Sequence, residues 1–414
     1  MSKCCGDKNV EANETDPCIP PEPSCGTAGK TNANKPDNCS LTWFHDMVQH
    51  CYDYACAEKE KGRKVVGIMC EYTPRELIMA ADAIPACLCG GSAEMIPAAE
   101  EVLPSNLCPL IKSTFGYGVN KSNPFLEMAD LLVAETTCDG KKKMYEIFAQ
   151  TYPMHVLELP QKPDKEDSFS LWVNELRRLK AALEEKFKVT ITDDKIRDAI
   201  RIMNRERSLR RKLAELMKSS TPPLTGRELL DFKSIISGIP SDLDQYEKAL
   251  ETLPNRKIDP SPKSRIRVLL TGVPLPHGAE RVMDIIEDNG GLVVCQENCT
   301  GIKPILEDVD PDAEDPIQAL AEKYFHLPCS VMTTNSGRIQ TLKDLAQEYQ
   351  ADCIIDLIWQ ACITYDVESY FVKKLAEEDL SVPYLRIETD YSPSDSARIA
   401  VRVQALFETI SAKK

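Results

Sequence analysis

The chain has 414 residues. A chain of this length is too long to fold around one ordinary hydrophobic core, so two or three domains are predicted. Its 65 acidic residues outnumber 50 basic ones, and the resulting formal net charge of −15 argues against a nucleic-acid partner, whose binding surface would be basic. No apolar run reaches the roughly 18 residues of a transmembrane helix, and the first residues lack the apolar segment of a secretory signal. We therefore expect a cytoplasmic protein with neither nucleic acid nor membrane as a partner.

Residues 1–40 are rich in Pro, Asn, Asp and Gly and are predicted to form an irregular N-terminal tail. The segment "SCGTAGKT" at 24–31 approaches a phosphate-binding loop, but Ser24 occupies the first glycine position and no apolar strand precedes it. We therefore predict no ATP-binding loop in this chain. The stretch 41–60 then carries apolar residues at helical spacing, and Cys51 and Cys56 within it are interpreted as core thiols.

From residue 64 onward, short apolar segments alternate with helical patterns. The predicted strands of this part are "KVVGIMC", "AIPACLCGG", "ADLLVAETTC" and "MHVLELP". After the first strand, Thr73, Pro74 and Glu76 have the spacing of a helix start with a capping box. This alternation predicts a parallel sheet with crossover helices, so residues 41–164 are predicted to form a first Rossmann-like domain with a leading helix.

Residues 165–258 are amphipathic and poor in strand patterns, which predicts a helical insert. The segment "DPSPKS" leads out of it, and strand–helix alternation resumes with "RIRVLLTG", "GGLVVCQENC", "ADCIIDLIWQAC" and "VPYLRIETDY". Residues 259–414 are therefore predicted to form a second Rossmann-like domain. The predicted fold class is α/β, with two flavodoxin-like parallel-sheet domains, a helical insert and an irregular tail.

Seventeen cysteines are unusual for a cytoplasmic chain, where disulfides are disfavoured, and they indicate metal or redox chemistry. The sequence contains no C-x-x-C pair, which argues against zinc ribbons, thioredoxin-like motifs and bacterial ferredoxin motifs. Any cysteine site must therefore be assembled from distant parts of the chain by the fold.

Three cysteines, Cys70, Cys138 and Cys362, end predicted strands immediately before predicted helices. In open parallel sheets, ligands bind in the crevice at the carboxyl ends of the strands, and helix starts there favour an anionic thiolate. Cys108, Cys299 and Cys329 lie in comparable connecting segments. Six such cysteines facing one crevice would suit an iron–sulfur cluster. The alternative, that each is a buried small hydrophobic residue, stays open at this point.

Four further cysteines lie within or beside apolar runs and are interpreted as core thiols: Cys87, Cys89, Cys295 and Cys353. The cysteines of the predicted tail are assigned no role.

The segments "VGIMCEYTPRELIMAADAIP", "LCPLIKSTFGY", "TTCDGKKKMYE", "TGVPLPHGAERVMDIIEDNGGLVV" and "VPYLRIETDYSPSD" resemble the 2-hydroxyacyl-CoA dehydratase and benzoyl-CoA reductase subunit family. That resemblance covers about residues 40 to 414. It implies two Rossmann-like domains and a helical part that enclose an iron–sulfur cluster held by three cysteines. These would correspond here to Cys108, Cys138 and Cys362.

Three more cysteines, Cys70, Cys299 and Cys329, resemble those of the family branch called double-cubane cluster proteins. In that branch two cubanes joined by a bridging sulfide form an 8Fe-9S cluster with three cysteines on each cubane. Six cysteines are therefore what the resemblance requires. The choice between Cys299 and the neighbouring Cys295 is left open by the spacing.

The resemblance also implies an activity. A separate ATP-hydrolysing, homodimeric iron–sulfur reductase would deliver single electrons at low potential, and this protein, expected as a homodimer, would pass them to small-molecule substrates. One alternative is a 2-hydroxyacyl-CoA dehydratase or benzoyl-CoA reductase-type subunit with a single 4Fe-4S cluster. Another is a non-catalytic electron carrier or cluster-storage protein.

The residues beside the cysteines carry charged and polar groups. Glu71 and Tyr72 could supply protons next to Cys70. Lys112 and the run 141–143 could offset the charge of a cluster or offer a docking patch to the reductase, and a solvated helix face is the alternative for Lys142 and Lys143.

Overall fold

The computed structural model describes residues 39–258 and 264–412, and these belong to a compact unit that spans Pro36–Lys414. The predicted irregular tail, except for its last two residues, lies outside the described residues, as does most of the "DPSPKS" segment. Within the described residues, no helix is both long enough and apolar enough to cross a membrane.

Each of the eight predicted strands is present. Their bounds are β1 Lys64–Ile68, β2 Ala83–Cys87, β3 Leu131–Glu135, β4 Met154–Leu157, β5 Ile266–Gly272, β6 Gly291–Glu297, β7 Cys353–Trp359 and β8 Tyr384–Thr389. They form two four-stranded parallel sheets with orders β2-β1-β3-β4 and β6-β5-β7-β8. The two orders are the same when each sheet is numbered from its own first strand, so the predicted α/β fold with two parallel sheets is confirmed.

Helices surround both sheets. Their bounds are α1 Cys39–His45, α2 Met47–Glu60, α3 Arg75–Ala80, α4 Ile96–Glu100, α5 Pro109–Asn120, α6 Pro124–Glu127, α7 Asp139–Phe148, α8 Glu166–Phe187, α9 Asp193–Glu215, α10 Gly226–Asp231, α11 Pro240–Thr252, α12 Arg281–Asp288, α13 Pro316–Phe325, α14 Ser336–Glu348, α15 Ile363–Lys374 and α16 Ser396–Ser411. Every residue of β3, β6 and β7 is buried. Burial on both faces is typical of parallel strands covered by helices, and it explains their continuous apolar runs.

The predicted helical insert contains α8 to α11. Helix α9 packs on α3, which follows β1 of the first sheet. Helix α8 packs on α13, which follows β6 of the second sheet. One buried ion pair joins α9 to α3, between Arg207 Nη1 and Glu76 Oε1 at 2.8 Å. The division of the chain at residues 40, 164 and 258 stays a prediction.

The predicted capping box at the start of α3 is wrong. The residue before the helix is Pro74, whose side chain cannot cap, and α3 begins at Arg75. The Thr73 hydroxyl donates instead to the Glu135 carboxylate, and Glu76 binds Arg207 and the Tyr324 hydroxyl. These carboxyl groups are buried, and a buried polar group needs hydrogen-bond partners more than a helix start needs a side-chain cap.

Candidate metal centre

The strand order places several predicted cysteines at one edge. In the first sheet the chain order reverses between the neighbouring strands β1 and β3, which makes this pair the topological switch point. Cys70 follows β1 and Cys138 follows β3, so both come at the carboxyl edge of the switch point. In the second sheet Cys299 follows β6 and Cys362 follows β7 at the corresponding edge.

All six predicted cysteines line one cavity of about 570 Å³. Its walls come from the carboxyl ends of strands in both sheets, from the starts of α5, α7 and α15, and from the segment 230–235 after α10. Glu71 and Lys141 also line it. The topology thus brings together cysteines that are almost 300 residues apart in sequence.

Three of the six form a group that we call the cap triad: Cys108, Cys138 and Cys362. They are the N-cap residues of α5, α7 and α15, respectively. Each sulfur lies beside backbone N–H groups of its own helix, and the Cys362 thiol donates a hydrogen bond to the Cys108 sulfur. Free N–H groups and the positive end of a helix dipole favour negative charge at such a position.

The other three form what we call the loop triad: Cys70, Cys299 and Cys329. They lie in connecting segments, and Cys299 and Cys329 are electrostatic neighbours of Cys70. The two triads also approach one another, because Cys138 of the cap triad is influenced by Cys329. The cavity therefore contains two groups of three thiols side by side.

Burial has the largest effect on the pKa of three of these thiols in the protein without metal. It raises the pKa of Cys70 and of Cys138, and it raises the pKa of Cys299 to about 12. The pKa of Cys108 is lowered, chiefly by the hydrogen bond from Cys362. The expected lowering of thiol pKa at helix starts is therefore outweighed by burial at Cys138, and binding of metal there would have to displace a proton.

One of the predicted lysines reaches the cavity. Lys141 is partly buried against it, donates from Nζ to the Met69 carbonyl oxygen at 2.7 Å, and acts electrostatically on Cys70 and Cys138. Lys142 and Lys143 pair instead with Asp139 and Glu146 on the exposed side of α7.

Lys112, by contrast, turns away toward other partners. Its Nζ donates to Glu100 at 2.7 Å and to the Ser105 carbonyl oxygen at 2.8 Å.

A second cation, which the sequence pattern did not reveal, sits beside the loop triad. Lys233 donates from Nζ to Glu71 Oε1 at 2.7 Å and to the Cys299 carbonyl oxygen at 2.6 Å. Arg75 pairs with the other oxygen of Glu71 at 2.8 Å. Burial alone would raise the pKa of Glu71, but Arg75 and Lys233 lower it to about 2, so Glu71 is a carboxylate at neutral pH.

Two tyrosines adjoin the loop triad. Tyr72 is buried, and its hydroxyl donates to the Leu327 carbonyl oxygen at 3.2 Å. Tyr365, which was not predicted as a site residue, lines the cavity and accepts a hydrogen bond from Lys303 Nζ at 2.9 Å. Lys303 in turn lies 3.2 Å from Glu297, at the end of β6. Tyr365 therefore presents a hydroxyl to the cavity that is connected to a buried chain of charges.

The structure separates the remaining cysteines into two classes. Cys295 is buried within β6 and does not line the cavity, whereas Cys299 does. Cys87 and Cys89, interpreted from sequence as core thiols, line the cavity, because β2 ends at its edge. Their position at a strand end was the available signal, and it matches the pattern of Cys70. Cys353 is buried within β7, as expected for a core thiol.

Comparison with known proteins identifies a family profile described as "2-hydroxyglutaryl-CoA dehydratase, D-component", which matches residues 70–410. A protein of Escherichia coli (strain K12), provisionally named a dehydratase subunit, YjiM, is 40% identical over 85% of this chain and 93% of its own length.

Relatives of lower identity also match most of the chain. The (R)-phenyllactyl-CoA dehydratase beta subunit of Clostridium sporogenes is 24% identical over 89% of this chain and 97% of its own length. A benzoyl-CoA reductase subunit of Thauera aromatica is 22% identical over 65% of this chain and 70% of its own length. The range matched by the family profile contains all six cavity cysteines of the two triads.

Proposed function

Because the chain belongs to the family of the 2-hydroxyglutaryl-CoA dehydratase D-component, we propose that it is an iron–sulfur oxidoreductase with a double-cubane 8Fe-9S cluster. In this proposal an ATP-hydrolysing, homodimeric iron–sulfur reductase supplies the electrons, and small molecules accept them. The observation that carries the proposal is the arrangement of six thiols in two groups of three around one cavity.

The donor set fits such a cofactor. Cysteine thiolates are the usual ligands of iron–sulfur clusters, and two cubanes that share one sulfide need three cysteines each. The cap triad would hold one cubane and the loop triad the other, with Cys299 and not Cys295 as the third ligand of the loop triad. Such a cluster, when bound, takes up and releases single electrons at low potential.

The polypeptide would contribute charge compensation and proton donors around the cluster. Lys141 supplies a cation to both triads, and Lys233 supplies one beside Cys299. Tyr365 could donate its hydroxyl proton at the cavity, and Lys303 could then return a proton to Tyr365. We retain Tyr72 as a second proton donor, and Glu71, as a carboxylate, is suited to accept a proton and to orient Lys233.

An exposed apolar stripe near the cavity supports assembly with another subunit. Ile363, Val367, Tyr370 and Phe371 lie on α15 with more than half of each side chain exposed, and Ile363 also lines the cavity. Exposed apolar patches of this kind are typical of interaction sites. We propose that a second copy of the chain covers this face, in keeping with the expected homodimer.

The twelve cysteines found between residues 51 and 362 are not joined in disulfides. Cysteines that stay reduced suit a reducing compartment, and a cytoplasmic location is part of the proposal.

Anaerobic purification followed by iron and sulfide analysis tests the cofactor. We expect about eight irons and about nine sulfides per chain, and diffraction near the iron absorption edge should place iron at both triads. A content of about four irons, or iron at the cap triad alone, would contradict the double-cubane proposal.

A single-cluster dehydratase or reductase subunit is the second candidate, and the names of the relatives favour it. It predicts that only the cap triad binds iron and that a CoA thioester and an unlike subunit are required. Replacing Cys70, Cys299 and Cys329 by serine would then leave the iron content unchanged. A non-catalytic electron carrier is distinguished by rapid electron exchange with the reductase and no turnover of any small molecule.

A further inference from the structure

A second cluster of metal-binding side chains lies outside the cavity. His50 and Cys51 are in α2, and Asp242 is near the start of α11. One ligand atom from each of these residues lies within 4.8 Å of the other two. Cys51 is fully buried and Asp242 is nearly so, and His50 exposes only 15% of its side chain.

The hydrogen bonds of His50 determine which of its nitrogens can bind a ligand. Nδ1 lies 3.1 Å from the carbonyl oxygen of Trp43, and a carbonyl oxygen can only accept, so Nδ1 carries a proton. In the neutral ring, Nε2 then bears a lone pair. This Nε2 is buried, makes no hydrogen bond, and lies 3.1 Å from Asp242 Oδ1. With a neutral ring, two acceptor atoms face each other in a buried site, whereas a protonated ring would form an ion pair with Asp242.

The surroundings of Asp242 also suit a metal ligand. The Trp43 indole donates from Nε1 to Oδ1 at 2.9 Å, and the Ser234 hydroxyl donates to Oδ2. The carboxylate is thus oriented by two donors while Oδ1 still faces His50. In metal sites, histidine ligands usually donate their other ring N–H to a carbonyl or carboxylate, and carboxylate ligands are hydrogen-bonded in turn. Both features are present here.

We propose that His50, Cys51 and Asp242 form a binding site for one Zn²⁺ ion. An imidazole nitrogen, a thiolate and a carboxylate are the three donor types that zinc uses in proteins. Zinc bonds of about 2.0–2.3 Å at tetrahedral angles place ligand atoms about 3.4 Å apart, close to the His50–Asp242 separation. Two anionic ligands and one neutral ligand around Zn²⁺ give no net charge, which suits a buried position. A water molecule would complete the four ligands.

This ion would join two parts of the fold behind the cavity wall. Met47 and Val48 precede His50 in α2, Ser234 and Ile235 precede α11, and all four line the cavity of the candidate cluster. The Ile235 backbone N–H also donates to the Met47 sulfur at 3.3 Å. The proposed zinc would therefore hold this wall in place without involving the six cysteines of the two triads.

Metal analysis of full-length, anaerobically purified protein tests the site, and a weak chelator first removes zinc held loosely by the cavity thiols, which include Cys87 and Cys89 as well as the two triads. We expect one zinc per chain after treatment with a weak chelator. Zinc-edge X-ray absorption should show one sulfur among nitrogen and oxygen neighbours. The variants Cys51→Ala and Asp242→Asn should bind Zn²⁺ on the order of 100-fold more weakly or worse in competition with a chromophoric chelator. Cys56→Ala, in the same helix, is the matched control and should retain the zinc.

Two further measurements keep the result interpretable. If Cys51→Ala does not fold, Asp242→Asn and the number of sulfur neighbours in the wild-type protein still decide the question. A triple variant of the cap triad to serine should lose iron but keep zinc. Absence of zinc, zinc with three sulfur neighbours, or equal zinc affinity in Asp242→Asn and Cys56→Ala would overturn the proposal and leave a His50–Asp242 ion pair.

Discussion

In the cap triad each sulfur sits on the residue that starts a helix of ten to twelve residues, whereas none of the loop triad cysteines is a helix cap. Backbone N–H groups and helix dipoles therefore compensate charge in the cap triad. Lys141 acts on both triads, but in the loop triad, which has no helix caps, the compensation falls to side chains alone, namely Lys141 beside Cys70 and Lys233 and Lys303 beside Cys299. One cavity can therefore stabilise anionic sulfur by backbone N–H groups as well as by the cations of nearby side chains.

The two triads should also differ in how well they tolerate the substitution of nearby side chains. A helix start persists when one side chain changes, because the backbone supplies its N–H groups. A buried cation must itself be paired, and here Lys303 and Arg338 share the carboxylate of Glu297 at 3.2 and 3.0 Å. The loop triad therefore depends on a network of charged side chains that can be disrupted at a single residue.

Removing the loop triad gives the largest expected effect. We expect Cys70→Ser, Cys299→Ser and Cys329→Ser combined to lower the iron content by about half, because the cap triad keeps its three ligands. Iron and sulfide analysis after anaerobic purification measures this. Cys295→Ser, four residues from Cys299 but outside the cavity, is the control and should keep all the iron. Unchanged iron in the triple variant would favour the single-cluster alternative.

Breaking the charge network should weaken the loop triad selectively. Arg338 is buried and pairs with both Glu297 and Glu368, so Arg338→Met would leave carboxylates buried without their partner. We expect a loss of about 3–5 kcal/mol in the free energy of unfolding, measured by denaturant titration of the cluster-free protein.

The same variant should lose iron at the loop triad before the cap triad.

Arg201→Met, at an exposed ion pair with Asp198, is the control for the unfolding measurement. It should lower the free energy of unfolding by less than about 1 kcal/mol. Equal losses in the two variants would show that the network is not needed for stability.

Replacing Lys141 should shift the reduction potential of the bound cluster. Lys141→Met removes a partly buried positive charge that acts on both triads, and reduction adds negative charge. We expect a potential more negative by on the order of 100 mV, as measured by a redox titration followed by electron paramagnetic resonance. Lys142→Met changes the next residue, which is half exposed and paired with Asp139, and should leave the potential nearly unchanged. Similar shifts in both variants would argue against a specific role of Lys141.

A smaller effect concerns pH and the network behind the loop triad. Burial raises the pKa of Asp356 to about 6 from an ordinary value of 3.8. Between these values the folded protein holds a proton that the unfolded chain releases. The stability contribution of this carboxyl therefore falls as the pH rises from about 4 to about 6, by at most about 3 kcal/mol.

Asp356→Asn should flatten this part of the dependence of unfolding free energy on pH. The exposed Asp198→Asn should leave its shape unchanged. A wild-type stability that does not fall over this range would contradict the raised pKa.

Much of the fold could be predicted because its patterns are local. The eight strands are short apolar runs between turn residues, and the amphipathic spacing of α8 to α11 marks the helical part. The capping box at Thr73 failed because partners distant in sequence compete for its side chains: Thr73 donates to Glu135, and Glu76 accepts from Arg207. No local pattern contains that competition.

The site was predictable in its six triad cysteines and in Glu71 and Lys141, which lie beside cysteines in the sequence. Cys70, Cys138 and Cys362 could be found because they end strands, but Cys87 and Cys89 were interpreted as core although β2 ends at the same edge. Lys233, Lys303 and Tyr365 could not be found, since each becomes relevant only through a partner far away in sequence. Spacing alone also could not decide whether Cys295 or Cys299 is the cluster ligand.

The sequence by itself determined the two parallel sheets, the helices between them and a set of cysteines at strand ends, because hydrophobic periodicity and turn residues act over short distances. The tertiary structure alone decided which thiols share the cavity, how they divide into the cap triad and the loop triad, and which buried cations accompany them. It also brought His50, Cys51 and Asp242 together. The physical reason is that strand order and helix packing set these distances, and both depend on contacts between residues far apart along the chain.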